Sequence, residues 1–369
     1  MVAPTTSFFL SHRLPIALAA IETGYRVALA SPDGPDTPRL VASGVSHFPI
    51  PLERAVATPA VEIATLAALS TIMRRERPHI AHLITAKPAL YGGLAARFHG
   101  VPAIAAITGL GYLFIRSDAK ASLARKILLS GYKIGLDHRA NHFIFQNGDD
   151  LELFRSHGLM RKAGCTLIPG SGADLNVLTP RPLPDGPVTV VLPARMLRDK
   201  GIGEFVEAAG MLHAKGLEAR FRLVGDPDPS NPASLSLEEL HQIHAQGIVE
   251  WQPFERDIAT VLAASHVVVL PSYREGLPKT LIDAAAAGRA TVTNDLTGCR
   301  DAILPNVTGL LCKPRDAASL ANAIETLIKN RAMIEEFGKA GRKLAERRFD
   351  IRQVVTTHLA LYEQLRRQD

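Results

Sequence analysis

Disulfide chemistry is the first thing this sequence lacks. Of 369 residues only three are cysteine, Cys165, Cys299 and Cys312. Their number is odd and their scattered spacing suits neither a disulfide framework nor a zinc site, so a reducing cytosol is the expected setting. Aromatic residues make up only 5%, with a single tryptophan, and no basic–aromatic platform for nucleic acid emerges from them. No apolar run approaches the length of a membrane-spanning helix. The opening Met1–Ala20 segment contains the apolar Phe8–Leu10 and a small-residue run at Ala17–Ala20. It lacks a basic n-region, however, and His12, Arg13 and Pro15 interrupt its apolar core, so secretion is rejected. Internal repeats and low-complexity tracts are absent, and no Asp-x-Asp pair at a strand end is read as a metal site.

What remains is a chain long enough for two α/β domains and, at 47% hydrophobic residues, able to fill both cores. The net charge of +6 suits an anionic small molecule, an anionic lipid surface or a nucleic acid without choosing among them. Short apolar runs alternate with helical patterns. The expected strands are Tyr25–Ala30, His79–Ile84, Ala103–Ile107, His142–Gln146, Cys165–Pro169, Val188–Pro193, Phe221–Val224, His266–Leu270, Ala290–Thr293 and Gly309–Cys312. Continuous apolar strands separated by helices imply parallel sheets covered on both faces. The segment Thr179–Pro187 holds four prolines and reads as a linker, because proline can continue neither strand nor helix. Two doubly wound domains are therefore expected, 1–180 and 186–350, facing across a cleft, with a terminal helix in 351–369 crossing back to the first. Only Met1–Thr6 precedes the first helix, so the opening strand is either very short or preceded by more chain.

Two constellations carry chemistry. After the strand His266–Leu270 comes Pro271–Lys279 (PSYREGLPK), then a helix to Gly288. Pro278 suits the first turn of that helix, whose start offers a positive dipole end to a phosphate or oxyanion. Glu275 on the loop and Asp283 on the helix are eight residues apart and could address one polar ligand. Read alone, the same stretch could be an ordinary strand–helix connection with a surface Arg274–Glu275 pair. The second constellation, Arg195–Gly201 (RMLRDKG), follows the strand Val188–Pro193. There Arg195 offers a planar fork and Lys200 a point charge, together able to clamp a diphosphate. Gly225 ends a neighbouring strand.

The chain resembles the retaining glycosyltransferases of family 4, and within them bacterial enzymes that add N-acetylhexosamines to polyprenyl-diphosphate-linked sugars. The likeness is carried by Phe8–Pro15 (FFLSHRLP), Ala86–Gly93 (AKPALYGG), Thr108–Tyr112 (TGLGY), Phe145–Asn147 (FQN), Pro169–Asp174 (PGSGAD), Ala194–Gly201 (ARMLRDKG), Pro271–Lys279 and Gly298–Arg300 (GCR). It implies the GT-B fold of two Rossmann-like domains and a UDP-sugar donor. Arg195 and Lys200 would neutralise the leaving diphosphate and Glu275 would contact the donor sugar. Gly225, Arg274, Gly276, Leu277 and Pro278 would line the donor site, and Asp283 would meet the ribose hydroxyls. No cofactor or metal is implied. Two positions depart from the family pattern: Asp283 stands for the usual glutamate, and Thr108 for a histidine that many members carry. His12 is the remaining N-domain candidate for catalysis, with Lys87, Thr108 and Gly109 on the acceptor side.

The segment Ser122–Gly135, preceded by Phe114–Arg116, is apolar and basic. Such a helix can lie on an anionic inner-membrane surface or, equally, pack against a core. Beside the transferase reading stand a sugar-nucleotide epimerase on the same fold and a non-catalytic sugar-nucleotide-binding homologue.

Overall fold

The computed structural model describes residues 1–53, 58–109 and 119–367. Two compact units emerge: Met1–Ser171 with the terminal segment from Arg352, and Gly172–Ile351. The division falls before the proline run rather than within it. Leu175 and Leu178 are buried in the core of the second unit. The run itself is tied to that unit, since Arg289 donates to the Pro182 carbonyl at 3.3 Å and Arg331 donates to that of Gly186.

In the first unit β1 (Ala28–Ser31) pairs in parallel with β2 (Ser46–Pro49). A further parallel set runs in the order β3 (Ala81–Ile84), β4 (Ala103–Ile107), β5 (His142–Phe145) and β6 (Gly164–Leu167). Val2 joins the two sets as an isolated parallel bridge to both Ala30 and Leu83. Its N–H donates to the His82 carbonyl at 2.8 Å, and its own carbonyl accepts from Ile84 N at 2.9 Å. On the other side Ala3 N donates to the Ala30 carbonyl at 3.1 Å and Ala30 N to the Met1 carbonyl at 2.9 Å, so Met1–Ala3 carries ladder bonds to both sets. Every residue of β3, β4 and β5 is buried, as expected where helices cover both faces of a parallel sheet. The helix Ile351–Arg366 buries Val354, His358, Leu361, Tyr362 and Leu365. Its Tyr362 hydroxyl lies 2.7 Å from His82 Nδ1 on β3, and Tyr25 donates to its Glu363 at 2.7 Å.

The second unit holds one six-stranded parallel sheet. Its strands are β7 (Val188–Pro193), β8 (Ala219–Val224), β9 (Val249–Gln252), β10 (Val267–Leu270), β11 (Ala290–Asn294) and β12 (Gly309–Cys312). They are ordered β12-β11-β10-β7-β8-β9. From β7 the chain winds outward through β8 and β9, then returns to the other side of β7 as β10. The winding direction therefore reverses between β7 and β10, and ligands of doubly wound sheets bind beyond the strand ends at such a reversal.

Candidate active site

The loops leaving β7 and β10 meet at this reversal. After β7, Ala194–Leu197 leads into a single 3-10 turn at Arg198–Lys200. After β10, Pro271–Pro278 leads into the helix Lys279–Ala286. The two loops are bound together: Tyr273 N and Ser272 Oγ both donate to the Asp199 carbonyl, at 2.9 and 3.1 Å. The Tyr273 hydroxyl donates to Glu204 at 2.6 Å, and the Arg315 guanidinium lies 4.4 Å above its ring. Thr280 Oγ1 donates to the Pro193 carbonyl at 3.0 Å, fixing the helix to the end of β7.

Lys200 donates through Nζ to Glu275 Oε1, one residue from each loop. Both side chains are largely buried, at 19% and 16% exposed, so this pair is shielded from salt more than a surface ion pair. Under Glu275 lies the turn containing Gly298, at φ +79°. A Cβ there would sit 2.5 Å from the carbonyl oxygens of both Glu275 and Gly276, so only glycine permits this approach. Cys299 completes the floor, with Sγ 3.7 Å from the Ser272 carbonyl. Burial pushes its thiol up to about 12, which leaves it protonated and inert at neutral pH.

The remaining donor-side candidates are placed as follows. Arg195 Nη1 donates to Asp228 Oδ2 at 2.6 Å, with the arginine side chain 47% exposed. Gly225 directly follows β8 and packs its α-carbon against the segment after β7; a Cβ there would meet the Ala194 carbonyl at 1.9 Å. Gly276, Leu277 and Pro278 are buried and Arg274 is half-buried. Pro278 stands just outside the helix, extended at φ −71° and ψ 122°, with no side-chain cap there. The expectation that it occupies the first turn is corrected by one position. Asp283 is buried and accepts from Lys279 Nζ at 2.7 Å. Burial raises its carboxyl above the usual range, while Lys279 pulls it down. Glu275 and Asp283 thus face different lysines, Glu275 meeting Lys200 and Asp283 meeting Lys279.

One Asp-x-Asp pair, Asp226-Pro227-Asp228, stands at a strand end, after β8. Its carboxylates are engaged by protein: Asp226 accepts from Phe254 N at 2.9 Å and Asp228 accepts from Arg195.

In the first unit His12 ends the helix Thr6–His12 and stacks on Phe8, with ring centroids 4.3 Å apart. Its Nδ1 lies 2.6 Å from Ser11 Oγ. Lys87, in the first turn of the helix Ala86–Phe98, donates to Glu62 at 2.8 Å and to the Glu53 carbonyl at 2.9 Å. Thr108 and Gly109 follow β4 directly, and both are half-buried. Tyr112 and Phe114–Arg116 lie outside the described residues. Sequence reading missed Asp228, Glu204, Tyr273 and Lys279. Of these only the Lys279–Asp283 pair had a usable signal, its i,i+4 spacing.

Comparison with known proteins now places the chain. Its backbone superposes on sucrose-phosphate synthase from Thermosynechococcus elongatus with a TM-score of 0.81 at 21% identity, covering 98% of this chain and 94% of that one. It also superposes on Anabaena Alr3699/HepE in complex with UDP and glucose, with a TM-score of 0.77 at 16% identity, covering 98% of both chains. The fold is GT-B.

The family model for group 1 glycosyl transferases matches residues 179–344, and that for glycosyl transferase 4-like domains matches residues 1–147. A Campylobacter jejuni N,N'-diacetylbacillosaminyl-diphospho-undecaprenol alpha-1,3-N-acetylgalactosaminyltransferase is 30% identical over 97% of this chain and 98% of its own length. An Escherichia coli UDP-Gal:alpha-D-GlcNAc-diphosphoundecaprenol alpha-1,3-galactosyltransferase is 23% identical over 71% of this chain and 70% of its own. The chain belongs to the group 1, family-4-like glycosyltransferases.

Proposed function

We propose that this glycosyltransferase moves a sugar, an N-acetylhexosamine, from a UDP-sugar to a polyprenyl-diphosphate-linked saccharide, with retention of anomeric configuration. The observation that carries the reading is the Lys200–Glu275 pair at the reversal between β7 and β10. It sets a cation for phosphate beside a carboxylate for sugar hydroxyls. The alpha linkage and diphospho-undecaprenol acceptor in the names of the two relatives support the chemistry.

In this reading Arg195 and Lys200 bind the donor diphosphate and stabilise the charge that grows on it as the bond from anomeric carbon to phosphate oxygen breaks. These fixed cations serve where another enzyme would use a metal. The acceptor hydroxyl attacks the anomeric carbon from the face the diphosphate leaves, and its proton passes to the departing phosphate oxygen. Such a step needs no histidine at position 108; His12 is the remaining N-domain group for orienting the acceptor. Glu275 accepts from donor sugar hydroxyls. Gly225, Arg274, Gly276, Leu277 and Pro278 shape the donor pocket, and Asp283 reaches the ribose by exchanging its bond with Lys279. Lys87, Thr108 and Gly109 serve the acceptor.

A lipid-linked acceptor calls for a membrane surface. Among the described residues no helix is long and apolar enough to cross a membrane. The helix Ala119–Leu136 exposes Leu123, Ile127 and Ile134 beside the exposed Lys126 and Lys133. This mixture of apolar and basic groups suits peripheral binding to anionic lipid.

The test is a panel of UDP-sugars incubated with undecaprenyl-diphosphate-linked saccharides. The reading expects acceptor-dependent UDP release and an alpha-linked product. Sugar isomerisation without acceptor would turn the assignment to an epimerase, and silence across the panel would defeat both.

A further inference from the structure

Asp228 lies on the loop Gly225–Leu235, which follows β8 and runs back along the segment after β7. Backbone bonds connect the two near both ends of the loop. Met196 N donates to Asp226 O at 3.0 Å, Arg198 N to Ala233 O at 2.8 Å and Leu235 N to Met196 O at 2.9 Å. Leu197 and Ser234 form an antiparallel bridge. Arg195 therefore projects from a backbone held on both sides.

The loop also fixes its own carboxylate. Asp228 N donates to Ser234 Oγ at 2.8 Å, Asn231 N donates to Asp228 O at 2.8 Å, and Ser230 Oγ donates to Asp228 Oδ1 at 2.7 Å. The other oxygen, Oδ2, takes Arg195 Nη1 at 2.6 Å. The Asp228 side chain is only 12% exposed, whereas that of Arg195 is 47% exposed. A guanidinium has five N–H donors, so one held at Nη1 keeps further donors for an anion. A free arginine would have to order its long side chain when the donor arrives; this one is ordered beforehand.

We propose that Asp228 is a positioning residue for the transfer reaction: it holds the Arg195 guanidinium in the orientation that meets the donor diphosphate. The inference rests on the assignment of Arg195 to that diphosphate. Asp228 itself touches no substrate. Its effect appears in the transition state, where misplacing a stabilising charge by about an ångström lowers rate steeply.

The experiment is a double-mutant cycle on the intact enzyme, measuring kcat and donor KM for the native chain, Arg195→Ala, Asp228→Ala and the double variant. Asp228→Asn is added as the conservative change, and thermal midpoints confirm that each variant folds. Asp228→Ala is expected to lower kcat by roughly 10- to 100-fold with little change in donor KM. Asp228→Asn, which keeps an acceptor for Nη1, is expected to retain more of the rate. The double variant should be no slower than Arg195→Ala alone, because the proposed effect of Asp228 on the reaction passes through that side chain. Losses that multiply in the double variant would overturn the proposal. So would a lower donor KM at unchanged kcat in Asp228→Ala, which would make Asp228 a competitor of the phosphates. Full activity in Arg195→Ala would instead remove the underlying donor-site assignment. Should Asp228→Ala fail to fold, the comparison of Asp228→Asn with and without Arg195→Ala decides in the same way.

Discussion

Each unit of this protein contains a cluster of basic side chains, and the two follow opposite electrostatic rules. In the first unit Arg13, His82 and His358 are almost fully buried beside Tyr362. No carboxylate is among the groups that act on them. Among the described residues Arg13 Nε, His82 Nε2 and His358 Nε2 have no hydrogen-bond partner. Burial answers by disfavouring charge: Arg13 is pulled down to about 10, His358 to about 3, and His82 well below its ordinary range. In the second unit the side chains of Arg195, Lys200 and Lys279 keep 47%, 19% and 28% of their surface exposed, and each holds a carboxylate. Cations each paired with a carboxylate at a strand-end reversal are prepared for an anion. The buried histidines, which shed their charge, are prepared for packing, while Arg13, at about 10, stays charged at neutral pH.

The largest effect expected from breaking this contrast is at Lys200. Replacing it with alanine should cut kcat by about 10²–10³-fold, the loss typical of removing one preorganised transition-state donor. Donor KM should change far less, because the charge on the diphosphate grows during cleavage. Steady-state kinetics across UDP-sugar concentrations separates the two, and an unchanged kcat would refute the role.

The buried cluster makes the next prediction, in stability rather than rate. The folded pKa of His358 is depressed from 6.5 to about 3. Its contribution is therefore complete above the unfolded value and is lost as pH falls from 6.5 toward 3. At pH 5 this one group costs about 2 kcal/mol relative to neutral pH. Urea unfolding of the native chain at the two pH values should show a loss of at least that size, and His358→Leu should reduce it by about 2 kcal/mol, leaving the part due to His82. An equally steep loss in the variant would locate the acid sensitivity elsewhere.

A third change perturbs the donor side without touching a charge. Gly298→Ala forces a Cβ against the Glu275 and Gly276 carbonyls at a left-handed position, at a cost of about 1–2 kcal/mol. Because the loop must shift, activity should fall with stability. Native kinetics in a destabilised variant would show that the turn can move without consequence. The smallest effect is expected for Asp283→Glu, which restores the family residue. It should lower donor KM by about two- to tenfold, the value of one hydrogen bond, with kcat nearly constant. A rise in KM would mean that the longer chain only disturbs Lys279.

How much of this was legible in the sequence follows the same division. The buried strands β4 and β7 were located with their observed bounds, because a run buried on both faces reads as continuous apolar chain; the edge strand β12 was located too, its residues being apolar throughout. The strands Ser46–Pro49 and Val249–Gln252 were missed. The first has no buried residue, and the second has one, Val249, and is a sheet edge. The proline run suggested a boundary that the structure sets at Ser171–Gly172, since composition cannot reveal that Leu175 and Leu178 are buried beyond it. Arg195, Lys200 and Glu275 stood out by their strand-end positions and family likeness. Asp228 did not, because a carboxylate in a proline-punctuated loop reads as surface until its partner is known. Arg13 escaped for the complementary reason: charge in a sequence reads as exposure.

The central claim is that Arg195 and Lys200 together receive the donor diphosphate, and a crystal structure of the protein with UDP tests it most directly. The account predicts Lys200 Nζ and a free edge of the Arg195 guanidinium within about 3 Å of diphosphate oxygens, with Asp228 still holding Arg195 Nη1. Diphosphate bound away from both side chains, with Lys200 still on Glu275 alone, would contradict it.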